Sequence, residues 1–501
     1  MECLLGLDIG TSGTKVALFE VGGGLLAAHT AEYPLYQPRP GWAEQDPADW
    51  WQATCSGIRQ VLSAAGVKPT AIKAIGLSGQ MHGAVLLDVH GEVIRPAIIW
   101  CDQRSVAEAE AIADDLGQAK VIELTGNPAL PNFTATKLLW VRRHEPENYR
   151  KIAKVLLPKD YIRYKLTGEF ATEVSDASGT LLFDVAGRKW SDEMLDCLAI
   201  NREWLPECTE SAVVSGRVTP AAAGETGLAC GTPVVGGAGD QAAGAVGNGI
   251  VEQGLVSATI GTSGVVFAAT TRMVTDPLGR LHSFCHAVDG LWHVMGVTQA
   301  AGGSLQWFRH TLAPDVSYDL LTEEAAEVPP GAEGLIFLPY LMGERTPHLD
   351  PFARGVFFGL SSRHDRRHLT RAVLEGVTFS LRDCLDLIIE LGVDFDQVRA
   401  SGGGARSRLW RQIMADVFNQ PVVSVAASEG PAFGVAILAG VGIGLYPSVG
   451  AACRQCLQVS DPVVPQRETS RFYQMRYQLF RQLYQALKDC FTQNMQRSDE
   501  Q

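Results

Sequence analysis

Two copies of one tetrapeptide, Gly-Thr-Ser-Gly, stand at 10–13 and 261–264, each between two apolar, strand-like runs. A glycine-bearing turn of this kind turns backbone N–H groups outward, and these can surround phosphate oxygens without side chains intervening. Thr11, Ser12, Thr262 and Ser263 would add hydroxyl donors. The copies differ in one respect. Aligning the turns sets Asp8 opposite Thr259, so only the first carries a carboxylate two residues ahead of the turn. Mg²⁺ takes one or two carboxylates together with water and phosphate oxygens, which makes Asp8 the candidate metal holder. The competing reading is plain: an isolated Asp-x-Gly usually marks only a turn. No Gly-Lys dipeptide occurs, so a P-loop is excluded, and no GxGxxG sits between a strand and a helix. A third cluster, Gly402 to Gly404, precedes an amphipathic helix and would let a flat ring lie against the backbone. Asp240 lies at a glycine-flanked strand end, where spacing alone reads it as a helix N-cap.

These residues need a scaffold that holds two turns face to face. Runs 4–9 and 15–19 read as strands around the first turn, and "LVSATIGTSGVVFAATT" repeats the arrangement around the second. Their common placement points to an internal duplication. Two small-residue stretches, "GDQAAGAVGNG" at 239–249 and "GPAFGVAILAG" at 430–440, read as helices able to approach each other closely. Hinge and simple tight packing are equally open there. "AIKAIGLSG" and "AVLLDVHGEVI" read as strands, 46–66 as a helix with Asp46 capping and Pro47 at its first position, and 467–496 as a polar amphipathic helix. The expectation is two α/β lobes, 1–250 and 251–501, with a cleft between them.

Composition narrows the class. A chain of 501 residues exceeds one hydrophobic core, and 46% hydrophobic content fills two without disulfides or metals. A net charge of −13 argues against wrapping nucleic acid. The eleven scattered cysteines suit reduced thiols in a cytoplasm. Cys453 and Cys456 form a CxxC without a second pair, so ordinary thiols are expected rather than zinc or redox chemistry. Residues 431–453 carry no charge and are long enough to cross a bilayer, but their glycines and prolines indicate a buried helix and a turn. The start, Met1-Glu2-Cys3, shows no secretory pattern.

In this order the motifs resemble the FGGY family of carbohydrate kinases, nearly end to end. The matching segments include "GLDIGTSGTKV", "WAEQDPADWWQAT", "SGQMHGAVLLD", "KLLWVRRHEPE", "VLLPKDYIRYKLTGEF", "FLPYLMGERTPH" and "SGGGARSRLWRQIMAD". The resemblance implies the two-lobed, ribonuclease H-like ATPase fold of actin, Hsp70 and hexokinase, with a central cleft. It is most specific for the branch acting on D-xylulose, and so implies ATP and Mg²⁺ as cofactors. By position, Asp240 matches the catalytic base, overriding the N-cap reading. Met81 and His82 match the pair touching the sugar chain. Asp8 matches the acid near Mg²⁺; Thr11, Ser12 and Lys15 match positions around the ATP phosphates, and Thr262 matches the second-lobe phosphate contact. Gly302, Gln306 and Gly404 match positions along the nucleotide. Gln241 departs from the Asn common in relatives, which adds a methylene beside the base.

His82 read alone is a packed histidine, although Gly79 and Gly83 leave room for a ligand. Trp100, Asp102 and Arg104 either line the sugar site or anchor the lobe, and the "GERTPH" turn at 343–348 has no assigned role. The rival readings are a sister kinase for ribulose, glycerol or another polyol, and a sugar sensor without turnover, which would need an added DNA-binding segment. The expected partners are a small sugar and ATP, with no nucleic acid and no membrane. A homodimer is the expected assembly.

Overall fold

The computed structural model describes residues 2–425 and 429–498. Two mixed sheets form the frame. The first runs in the order Val214–Arg217, Pro233–Val235, Ile72–Gly79, Cys3–Ile9, Gly13–Glu20, Leu25–Glu32, with Ala238–Gly239 also pairing Ile72–Gly79. The second runs His282–Cys285, Trp292–Thr298, Gly264–Thr270, Gly254–Ile260, Phe395–Ser401, Val422–Ser424. In both, an antiparallel run, of three strands in the first sheet and four in the second, is followed by parallel partners. The match holds to the residue: Asp8 pairs with Ser78 in one sheet and Thr259 with Ser401 in the other. The duplication expected from the two turns is thus a duplication of topology.

The inner strands Cys3–Ile9 and Gly264–Thr270 are buried on both faces because helices cover them. Leu5, Leu7, Val16 and Leu18 pack with Trp50 and Ile58 of the Pro47–Ala65 helix. That helix is capped as the sequence indicated, Ala48 N–H donating to Asp46 Oδ1. In the second half, Val256 and Ile260 share a core with Val373, Val377 and Leu381 of the Arg366–Glu390 helix.

The two small-residue helices, Asp240–Gly247 and Gly430–Gly442, pack against each other, and the second also lies on strands Cys3–Ile9 and Ile72–Gly79. Backbone contact explains the composition. A Cβ on Gly6 would sit 1.9 Å from the Ala432 carbonyl oxygen, and one on Gly434 would sit 1.9 Å from that of Ala243. The helix from the C-terminal half is therefore seated on the N-terminal sheet. Charge-free 431–453 is that helix followed by a turn and the Val449–Cys456 helix, which carries the CxxC. No helix among the described residues is long and apolar enough to cross a membrane.

One expectation changes, and a reading already set aside does not hold. The strand anticipated over "AVLLDVHGEVI" is only Val85–Leu87, because Asp88 Oδ1 accepts from His90 N (2.8 Å) and Glu92 N (3.0 Å) and turns the chain. Asp240 is not an N-cap. Gly239 holds that position without a side chain, and Asp240 is the first helical residue.

Candidate functional site

The first Gly-Thr-Ser-Gly turn closes with a Gly10 N–H to Gly13 O bond of 3.1 Å, and the second with Gly261 N–H to Ser263 O at 3.0 Å. Each is braced from behind. Gln45 Nε2 donates to the Thr11 carbonyl (2.7 Å), Gln80 Nε2 donates to Gln45 Oε1 (2.8 Å), and Trp100 Nε1 donates to Thr11 Oγ1 (2.9 Å). The second turn is joined to the start of the Gly302–Leu312 helix, where Ala301, Gly302 and Gly303 N–H groups reach its carbonyls at 2.9, 2.8 and 3.0 Å. Trp100 thus belongs beside the first turn, whereas Asp102 and Arg104 anchor the lobe. Arg104 forms ion pairs with Asp102 and Glu44 and covers the Trp42 ring.

Two cavities follow the turns. One of about 660 Å³ is lined by Gly261, Thr262, Gly302, Gln306, Gly404 and Trp410, so the four second-half candidates open on one space. The other, about 350 Å³, lies between the halves and brings together Asp8, Lys15, Asp240, Gln241, Thr259 and Glu429. Thr11 and Ser12 line neither cavity; Ser12 is exposed on its turn.

The cleft is rich in negative charge. Burial raises the Asp240 pKa from 3.8 to about 7, with the Asp8 charge adding to the rise, while the Gln241 amide and side chain oppose it. Burial likewise raises Asp8, against the pull of Ser78 and Lys15. Asp8 Oδ1 is buried without a hydrogen-bond partner. A carboxylate oxygen so placed, beside a cavity and a phosphate-type turn, fits a divalent cation that keeps its other ligands as water and phosphate. No cluster of three metal-ligating side chains occurs among the described residues. Lys15 reaches Glu429 across the cleft at 2.9 Å, linking the first hairpin to the helix that begins at Gly430.

Met81 and His82 follow strand Ile72–Gly79, which pairs with Ala238–Gly239 just ahead of Asp240. Gly239 packs on Met81, where a Cβ would approach Met81 Cγ to 3.0 Å. His82 adopts φ 69°, a left-handed backbone that costs an ordinary residue about 1 kcal/mol or more. Its carbonyl is held there by Lys137 Nζ (3.0 Å) and Thr134 Oγ1 (3.1 Å). Its Nδ1 lies 2.6 Å from the Gly179 carbonyl, so Nδ1 carries the proton and donates. Burial lowers the ring pKa to about 3, so the imidazole is neutral and Nε2 remains an acceptor for a hydroxyl. Strain of this kind, secured from three directions, gathers where a side chain must be aimed.

Sequence reasoning did not single out Gln45, Gln80, Lys137 or Arg345. The polar residues of "WAEQ" and "SGQ" beside the turn motifs were the available signal for the first pair. Arg345, on the "GERTPH" turn, makes no guanidinium hydrogen bond or ion pair among the described residues, and its charge depresses both His82 and His282. The turn itself is pinned: Glu344 Oε1 accepts from Gln299 N and Arg345 N, and Thr346 N–H donates to Val297 O.

Comparison with known proteins agrees with this geometry. The FGGY family of carbohydrate kinases, N-terminal domain, matches residues 3–247, and its C-terminal domain matches 256–443. The xylulose kinase of Escherichia coli (strain K12) is 43% identical over 484 residues, covering 96% of this chain and 99% of that protein. The crystal structure of xylulose kinase from Rhodospirillum rubrum superposes with a TM-score of 0.91 at 34% identity, covering 98% of this chain and all of that one. A gluconate kinase from Lactobacillus acidophilus superposes equally well, TM-score 0.92 at 28% identity, over 98% and 99% of the two chains.

Proposed function

The chain belongs to the FGGY family of carbohydrate kinases, and from that membership we propose that it phosphorylates D-xylulose with ATP, giving ADP and D-xylulose 5-phosphate. The observation that carries the reading is the placement of Asp240 on one small cavity between the halves together with Asp8 and Lys15. Burial raises the Asp240 pKa to about 7, and Met81, on which Gly239 packs, is followed in the chain by the neutral acceptor His82. A carboxylate raised toward neutrality is a stronger base than an ordinary one and still ionises at working pH.

In this reading the sugar lies against Met81 and His82, with its terminal hydroxyl at Asp240. Nε2 of His82 accepts one sugar O–H and fixes the chain's direction. Asp240 orients the terminal hydroxyl and takes its proton as the oxygen attacks the γ-phosphorus, and the bond to the bridging oxygen breaks to release ADP. Gln241 restrains the Asp240 carboxyl and lies close enough to contact the sugar. Thr11, Ser12 and Lys15 hold the phosphates from the first lobe and Thr262 from the second. Gly302, Gln306 and Gly404 line the larger cavity, which suits the nucleoside. Asp8 would hold Mg²⁺, which when bound neutralises phosphate charge. Phosphoryl transfer asks chiefly for alignment and charge compensation; the two turns would serve the first, and Lys15 with a cation at Asp8 the second. The lobe division at residue 250 separates the two sheets and is part of the proposal, as are a cytoplasmic location and a homodimer. Eleven free thiols agree with the location.

Asp240→Asn tests the reading. Turnover in a coupled ADP-release assay should fall at least about 10³-fold while D-xylulose still binds. Turnover near that of the unmodified enzyme would remove Asp240 from its role. The gluconate kinase likeness favours widening the assay. A panel of pentuloses, gluconate and glycerol should give D-xylulose the highest kcat/KM, and a larger value for another sugar would overturn the substrate assignment.

A further inference from the structure

Three hydrogen bonds converge on one buried segment, 173–180, that motif reasoning passed over. Ser175 Oγ accepts the Gly239 N–H at 3.1 Å, one residue before Asp240. The Gly179 carbonyl accepts from His82 Nδ1 at 2.6 Å. Ser178 Oγ accepts the Cys285 N–H of the second half at 3.1 Å. One short segment therefore touches the base side, the sugar side and the opposite sheet.

The segment is held harder than a loop would be. Glu173 Oε1 accepts from Asp176 N (2.8 Å) and Ser175 Oγ (2.9 Å), and its Oε2 accepts from Ser175 N (2.8 Å) and Ser211 Oγ (2.7 Å). Beneath it, fully buried Lys159 contacts Asp160 at 2.6 Å, Asp176 at 3.2 Å and Glu173 at 3.5 Å. Lys159 also backs Gly79, whose Cβ would meet Lys159 Cβ at 3.0 Å, and Gly79 is the strand partner of Gly239. Breaking a buried charge cluster is costly, so this base is rigid. Gly239 has no side chain to cap the helix that Asp240 begins, and Ser175 supplies the acceptor that its N–H needs.

We propose that Ser175 is a positioning residue for phosphoryl transfer: acting through the Gly239 N–H, it sets where the Asp240 carboxyl sits relative to His82. The inference rests on Asp240 being the base. Ser175 touches neither sugar nor nucleotide in this scheme, so its loss should displace the base without weakening either ligand. A displacement of the order of 1 Å costs about 10²-fold in rate.

The test compares Ser175→Ala, Ser191→Ala and Asp240→Asn in the full chain. Ser191 caps the Asp192–Leu198 helix through Met194 N and lies outside the cleft, so its loss lowers stability without touching the site. Ser175→Ala should lower kcat about 10- to 100-fold, with KM for D-xylulose and ATP held within about threefold. Ser191→Ala should keep kcat within about threefold at a comparable fall in melting temperature. Should Ser175→Ala fail to fold, Ser175→Cys, nearly isosteric with a weaker acceptor, takes its place with a smaller loss of kcat expected. Wild-type kcat in the folded Ser175 variant, or an equal loss in Ser191→Ala, overturns the proposal. Full turnover by Asp240→Asn would instead sink the reading beneath it, and the two failures are told apart by that third variant.

Discussion

Removing the charge of Asp240 should make the ligand-free protein more stable while abolishing turnover, and the size of the gain should depend on pH. The Asp240 pKa rises from 3.8 to about 7 on folding, chiefly through burial. Below about pH 4 the carboxyl is protonated folded or unfolded and contributes no difference. Between there and pH 7 the unfolded chain gives up this proton and the folded one keeps it, so stability falls as pH rises. Above pH 7 the penalty is constant. At about 1.4 kcal/mol per pH unit the full interval corresponds to about 4 kcal/mol. The carboxyl is partly exposed to the cleft, and water there screens the charge, so about half, ~2 kcal/mol, is the expected net cost. Asp240→Asn keeps the shape and removes the charge. Its melting temperature should converge on that of the unmodified protein below about pH 4 and exceed it increasingly up to about pH 7, in buffer free of nucleotide and metal. A difference that does not change with pH, or a variant less stable at pH 8, would refute the electrostatic argument.

His82→Asn tolerates the left-handed backbone and keeps an acceptor but loses the reach of the ring. KM for D-xylulose should rise about 10-fold, equivalent to one hydrogen bond, with KM for ATP unchanged. Because burial holds the His82 pKa at about 3, that KM should show no His82 titration near neutrality, and a histidine-like inflection near pH 6.5 would count against the neutral tautomer. Gly434→Ala drives a Cβ to within 1.9 Å of the Ala243 carbonyl, backbone against backbone, and should cost about 3 kcal/mol or more. Gly224→Ala, helical with open space around it, should be neutral or stabilising by up to about 1 kcal/mol. Thermal melts of the pair decide, and equal behaviour would mean the two helices do not rely on contact through glycine.

Much of the frame was legible because it is written in local patterns. Strands around each Gly-Thr-Ser-Gly turn, the Asp46–Pro47 helix start and the polar C-terminal helix all follow from periodicity and capping chemistry. The two small-residue stretches announced close packing, and the glycine contacts bear out that packing. What stayed illegible depends on distant partners. Nothing near Ser175 in the chain shows that its hydroxyl will meet Gly239, because that meeting exists only after the segment 173–180 folds beneath the first sheet. The Lys159 cluster is hidden for the same reason: its lysine is fully buried among Asp160, Glu173 and Asp176, two of them distant in the chain. Asp240 is an intermediate case. Its neighbours suggested a helix start, correct to one residue, but local spacing alone could not separate a cap from a base.

The pair Asp8 and Asp240 shows why this site needs the whole fold to hold it. Two carboxylates face one small cavity; burial raises the proton affinity of each, and the Asp8 charge adds to the rise of Asp240. Left alone, such a pair would relax apart or let water in. Here neither can move: Asp8 is locked in register between strands Gly13–Glu20 and Ile72–Gly79, and Asp240 starts a helix clamped against Gly430–Gly442. Lys15, the nearby cation, is shared with Glu429, so the empty cleft carries an excess of negative charge. In the proposed reaction the incoming phosphates add more, which the metal at Asp8 and a released Lys15 would offset. The same burial that makes Asp240 costly to stability would give it, in the proposed role, the proton affinity that a base acting on an alcohol requires. A variant that loosened the two-helix clamp should therefore lose activity together with stability, because the raised pKa depends on the clamp and the Gly430–Gly442 helix also packs on the first sheet.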